Sequence, residues 1–147
     1  NAQAVFLSKE KGMRYLILNL VIVFCTMSCQ SSKPLQTNLM QGEMWRVTEI
    51  NNIPLTVPAN MHLSEGMVRG QAACNRFFAS FSETKTGFEI GFVASTRKGC
   101  ISDVASKEEF LLFQNLPKMT RAVQVDNAIR LEGDDGAFIR LIKNELN

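Results

Sequence analysis

The chain reads as mainly β with some α: a small antiparallel barrel or strongly curled sheet with one helix packed on it. Three observations predict this. Apolar and polar residues alternate in several short stretches, the signature of strands buried on one face. Clusters of Gly, Asn, Asp and Ser separate those stretches at hairpin distances. One later stretch, near residues 106–116, carries helical spacing instead. With 147 residues, 46% of them apolar and 20% charged, and with 9 Gly and 4 Pro, the chain has the size and composition of one folded domain rather than of a disordered or collagen-like protein.

The first strand is expected over residues 43–50, with Trp45, Val47 and Glu49 on one face and Met44, Arg46, Thr48 and Ile50 on the other. Asn51-Asn52 and Pro54 end it. Ser64-Glu65-Gly66 then joins residues 61–63 to 67–70, and Thr84-Lys85-Thr86-Gly87 joins 77–82 to 88–94, each as a hairpin. Phe77, Ala79 and Phe81 share one face of their strand, opposite Phe78, Ser80 and Ser82, so one side faces a core and the other water.

A helix follows. Ser106 and Glu109 have capping-box spacing before Phe110-Leu111-Leu112-Phe113, Pro117 is the stop, and Asp103 allows one further turn upstream. Its apolar face is expected near Phe110, Phe113 and Leu116. Strands over 122–125 and 129–132 come next, and Gly133-Asp134-Asp135-Gly136 turns into a last strand over 137–142. About seven or eight strands in roughly 100 residues must curl or close to protect their edges.

The N-terminal third carries a different signal. Residues 1–12 read as an upstream extension without a fold of its own. Met13 and Arg14 precede an apolar run over residues 15–24 broken only by Asn19, and small Ser28 stands directly before Cys29, so residues 13–28 read as an export signal peptide. The run is shorter than the ~20 residues a spanning helix needs. A polar linker over residues 29–42 leads into a domain over 43–143. Charge supports the division: Lys9, Lys11 and Arg14 face only Glu10 before Cys29, which leaves 13 basic against 13 acidic residues from the whole-chain 16 and 14. A neutral body has no basic face with which to displace counterions, so nucleic acid is set aside as a partner.

Thr26-Met27-Ser28-Cys29 resembles a bacterial lipobox, which implies cleavage before Cys29 and diacylglycerol on its sulfur. The membrane is then a partner through a lipid anchor, and a multiply acylated cysteine holds stably where one chain would not. Gln30 after the cysteine implies, in that family, sorting to an outer membrane with the domain facing the periplasm. Cleavage removes Cys25 and acylation uses Cys29, leaving Cys74 and Cys100. In an oxidising envelope these form a disulfide; otherwise they are two buried thiols packing as small apolar groups.

No catalytic constellation stands out. His62 is the one histidine, without a recognisable nucleophile elbow around it. Glu108-Glu109 and Asp134-Asp135 are explained by a helix start and a turn. The spacing of Cys, His and acidic residues places no metal set, and the glycines cradle no phosphate, so neither a metal nor a cofactor is expected. If Cys74 and Cys100 join, Asn75, Arg76, Thr96 and Arg97 converge, either as a polar recognition patch or as turn residues satisfying the backbone.

Trp45, the run from Val68-Arg69-Gly70 through Cys74-Asn75-Arg76-Phe77-Phe78, the run Ser95-Thr96-Arg97-Lys98-Gly99-Cys100, then Glu109-Phe110 with Leu116, and Ala128-Ile129-Arg130-Leu131 resemble the META domain family, which includes HslJ-like proteins and many envelope lipoproteins. The likeness runs from Trp45 to Leu141, with Ala73 where the family has Gly. It implies a β-rich, barrel-like domain without known catalytic activity, associated with stress or drug tolerance at the bacterial envelope. The function expected is therefore non-enzymatic: envelope maintenance or stress tolerance through contacts with an envelope protein. The alternative is a carrier holding a small apolar ligand inside the barrel.

Overall fold

The computed structural model describes residues 40–144, all within the compact unit Lys33–Asn147. Residues 1–28, the acylation candidate Cys29 and the linker as far as residue 39 lie outside the described residues. Among the described residues no helix is long and apolar enough to cross a membrane.

The first turn is tighter than expected. Asn51 and Asn52 both take positive φ, 50° and 65°, the geometry of a two-residue hairpin that asparagine tolerates. They join β1 (Met44–Ile50) directly to β2 (Ile53–Ser64), so Pro54 lies inside a strand rather than ending one. The register of β1 slips between Val47 and Glu49 against both its neighbours. That bulge overturns the strict alternation, and Ile50 is fully buried beside Trp45 and Val47 instead of facing out.

The remaining strands are β3 (Met67–Gln71), β4 (Arg76–Glu83), β5 (Phe88–Ile90), β6 (Ala94–Ser95), β7 (Met119–Val125), β8 (Ala128–Gly133) and β9 (Phe138–Lys143). All the strand pairs are antiparallel, in the order β5-β4-β3-β2-β1-β9-β8-β7, with β6 returning onto β4. The expected strand over 88–94 is thus two short pieces. Gly91 separates them, lying against the Ser80 side chain so closely that a Cβ would not fit. The end strands β5 and β7 lie against each other without ladder pairing, and a Cβ on Gly87 would run into the Thr120 carbonyl. The sheet is therefore a nearly closed barrel with a seam.

Helix α1 (Asp103–Asn115) starts one turn before the expected capping box. Ser102, not Ser106, is the N-cap, its hydroxyl accepting from the Ala105 N–H at 3.2 Å. The buried face also differs: Phe110 is 62% exposed, while Ala105, Glu108, Glu109, Leu112 and Asn115 face inward. A short 3-10 turn over Leu116–Lys118, with Pro117 near its start, leads into β7.

Leu112 and Leu116 join Trp45, Met61, Phe77, Met119, Leu131, Ile139 and Leu141 in one continuous core. Burying each large apolar side chain contributes about 1.5–3 kcal/mol. Met40 belongs to the same core, and its carbonyl accepts from Trp45 Nε1 at 3.4 Å, so packing begins upstream of Glu43.

Candidate functional site

Cys74 and Cys100, 26 residues apart in sequence, form a disulfide with Cα atoms 5.4 Å apart. Beside it the chain leaves the ladder between β3 and β4, so the backbone N–H groups of Cys74 and Asn75 have no strand partner. The carboxylate of Glu109 supplies one. Its Oε2 accepts from both, at 2.9 and 2.8 Å, and its Oε1 accepts from Asn75 Nδ2 at 2.6 Å. A carboxylate arriving from the helix thus caps a turn some 34 residues away in sequence.

Asn75 is buried and spends its whole hydrogen-bonding capacity. Nδ2 also donates to the Lys98 carbonyl at 3.2 Å, while Oδ1 accepts from the Thr96 hydroxyl at 2.8 Å and the Lys98 N–H at 2.7 Å. Thr96 Oγ1 accepts in turn from the Arg76 N–H at 3.2 Å. Three of the four expected patch residues are therefore drawn together: Asn75, Arg76 and Thr96. Arg97 lies next to them, exposed, its guanidinium without a partner among the described residues. Ala73 is not among the positive-φ positions, so the departure from glycine meets no left-handed backbone here.

The segment held by this knot presents apolar groups outward. Phe92 is 97% exposed and Ile101 is as open as in an extended chain, at 105%, with Val104 half exposed at the start of α1. Arg97 and Lys98 in the same segment, and Arg76 bonded to it through Thr96, form no ion pairs among the described residues.

Glu108 does for β2 what Glu109 does for the bridged turn. Around the bulge, Thr56 and Val57 have no partner in β1, and their N–H groups donate to Glu108 Oε1 at 2.9 Å and Oε2 at 2.8 Å, with the Thr56 hydroxyl adding 2.7 Å to Oε1. Burial pushes the Glu108 carboxyl up, but these three donors outweigh it and hold the group below its ordinary value. Sequence reading assigned both glutamates to the helix start and missed these roles, because the partners are 34 to 52 residues away.

The other sequence candidates fall apart in space. In the β8–β9 turn, Asp135 accepts from the Ala137 N–H at 3.0 Å, a bond that keeps its carboxyl low, and Asp134 meets Arg121 at 2.9 Å. His62 lies on the outer face of β2, without a hydroxyl, thiol or carboxylate bonded to it among the described residues. The metal-like cluster of Cys74, Cys100 and Glu109 has its sulfurs bonded to each other and its carboxylate engaged by N–H donors. That donor set does not suit an ion.

Comparison with solved structures finds the same fold. A protein from Burkholderia xenovorans, determined by NMR, superposes with a TM-score of 0.61 at 17% identity, over 81% of this chain and 95% of its own. A second NMR structure gives 0.57 at 17% identity, over 72% of this chain and 93% of its own. At that identity the likeness is one of fold. No curated protein matches the chain. A family profile described as META domain matches residues 37–145.

Proposed function

The chain belongs to the META domain family, and from that premise we propose that it is a non-enzymatic, lipid-anchored protein of the bacterial envelope, acting in envelope maintenance or stress tolerance by docking another envelope protein. The observation that carries this reading is the exposure of Phe92 and Ile101 on a segment pinned by the Cys74–Cys100 bridge and the Asn75–Glu109 knot. Large apolar groups held out in water offer area that a partner can cover, and a rigid presentation lowers the entropy lost on docking. The unpaired Arg97 and Lys98 in that segment, and Arg76 bonded to it, favour an acidic partner surface.

Two features support the non-enzymatic part. Among the described residues the buried carboxylates, Glu108 and Glu109, are committed to N–H donors, and His62 has no nucleophile bonded to it. The lipobox-like residues before Cys29 support the anchor. The carrier alternative draws no support from an interior filled by Trp45, Met61, Leu112 and their neighbours.

The test combines labelling with site-directed crosslinking in cells. Radiolabelled palmitate is expected on the wild-type chain and absent from Cys29→Ser, with the wild type in the membrane fraction. A photocrosslinker at Ile101 is expected to trap a defined envelope protein, and Arg97→Glu to abolish the adduct. An unlabelled cytosolic wild type, or an Ile101 position that traps nothing, refutes the reading.

A further inference from the structure

The outer face of the sheet carries a groove of about 560 Å³, on the side of β1–β4 away from the core. Two cross-strand rows build it. Met44, His62, Arg69 and Phe78 are successive partners across β1, β2, β3 and β4, and the next row brings Asn60, Gln71 and Arg76 into the groove, with Arg46, at its β1 end, outside the lining. Residues on one face of neighbouring strands touch, so each row is a continuous strip. The first strip has apolar ends, Met44 and a half-exposed Phe78, with His62 and Arg69 between them and Met67 beside Arg69 on the same face of β3. The second is polar and cationic.

Three groups in or beside this groove lack what they need. The guanidinium groups of Arg69 and Arg76 meet no carboxylate among the described residues, and no Asp or Glu lines the groove. His62 Nδ1 is buried without a hydrogen-bond partner among the described residues, an arrangement a folded protein rarely leaves unanswered. The volume is that of a small-molecule site rather than of a protein footprint.

We propose that this groove binds a free monocarboxylate bearing an apolar chain, its carboxylate held by Arg69 and Arg76 and its chain laid over Met44, Met67 and Phe78. Charge complementarity selects the anion, and the planar fork of arginine matches a carboxylate in two-point fashion. Met44, Met67 and Phe78 around those guanidinium groups select the chain. The ligand sits on the outside of the barrel, so the packed interior is no obstacle, and the proposal is independent of the anchor and of Phe92 and Ile101; Arg76 is common to both readings, and Arg69 belongs to the groove alone.

The experiment titrates the full chain with dodecanoate below its micelle concentration and reads intermolecular NOEs to the methyl groups of Met44 and Met67. Saturable binding with those NOEs is expected, with Arg69→Gln and Arg76→Gln each weakening it about tenfold. Phe78→Ser, also at an exposed position, is expected to reduce it too. Dodecyltrimethylammonium, the same chain with a cationic head, is expected to give no such NOEs. Equal binding of the cation, affinity indifferent to both arginine variants, or NOEs elsewhere overturns the proposal. So does a chain that ignores dodecanoate but binds phosphatidylglycerol vesicles through the same arginines, which makes the face a membrane contact.

Discussion

The bridged turn and the outer groove lie side by side, sharing Arg76, yet treat polar groups in opposite ways. In the turn, the Asn75 amide uses all four of its hydrogen-bonding positions and Glu109 answers three donors, and each bond joins segments distant in sequence. In the groove, the guanidinium groups of Arg69 and Arg76 stand without ion pairs among the described residues. Saturated polar groups build the fold, because breaking any one strands its neighbours in a dry place. Unsaturated ones at the surface add little to stability and are available for something outside the molecule.

This contrast fixes the order of expected effects. Glu109→Ala is the most damaging, leaving three donors at the buried turn unanswered; a loss of about 3–4 kcal/mol is expected from urea unfolding. A loss below about 1 kcal/mol would mean that water replaces the carboxylate and the knot is not structural. Replacing both Cys74 and Cys100 by Ser is expected to cost about 3 kcal/mol, from the loop of unfolded chain that the bridge restrains.

Glu108→Gln is milder, about 1–2 kcal/mol at neutral pH, since the amide keeps one acceptor but turns a donor toward Thr56 or Val57. It also has a pH signature. The folded carboxyl lies below its ordinary value, so its contribution is complete above the unfolded glutamate's range and is lost as pH falls through the folded value. The stability gap between wild type and Glu108→Gln should therefore narrow on acidification; a gap that widens would reverse the assignment. Arg69→Gln closes the series, with a stability change expected within about 0.5 kcal/mol by thermal unfolding. A larger loss would move Arg69 from the groove's side of the comparison to the turn's.

How much of this was legible depends on the range of the interaction. Local periodicity revealed the faces of β4, with Phe77 and Ala79 buried and Phe78 out, and turn residues revealed the hairpins at Glu65-Gly66 and Gly133. The Cys74–Cys100 pairing followed from subtraction. Local rules then failed where a single residue changes the count: the bulge after Val47 reversed the side of Ile50. Ser102 and Ser106 both have capping chemistry, and only the packing of α1 decides between them. Glu108 and Glu109 looked like ordinary helix-start charges because nothing near them in sequence hints at Thr56 or Cys74. The two outer rows were invisible for the same reason: Met44, His62, Arg69 and Phe78 become neighbours only through the register of four strands.

The seam between β5 and β7 bears on how copies of this molecule tolerate crowding. A strip of sheet normally ends in two rows of bare amides, each an invitation to another chain. Here the strip curls until those rows face one another, with Gly87 tucked against Thr120 too tightly for any larger residue. Neighbours packed at high density are thereby denied a place to zip together, and a bulky side chain at Gly87 would prise the margins apart and turn a closed module into a sticky one.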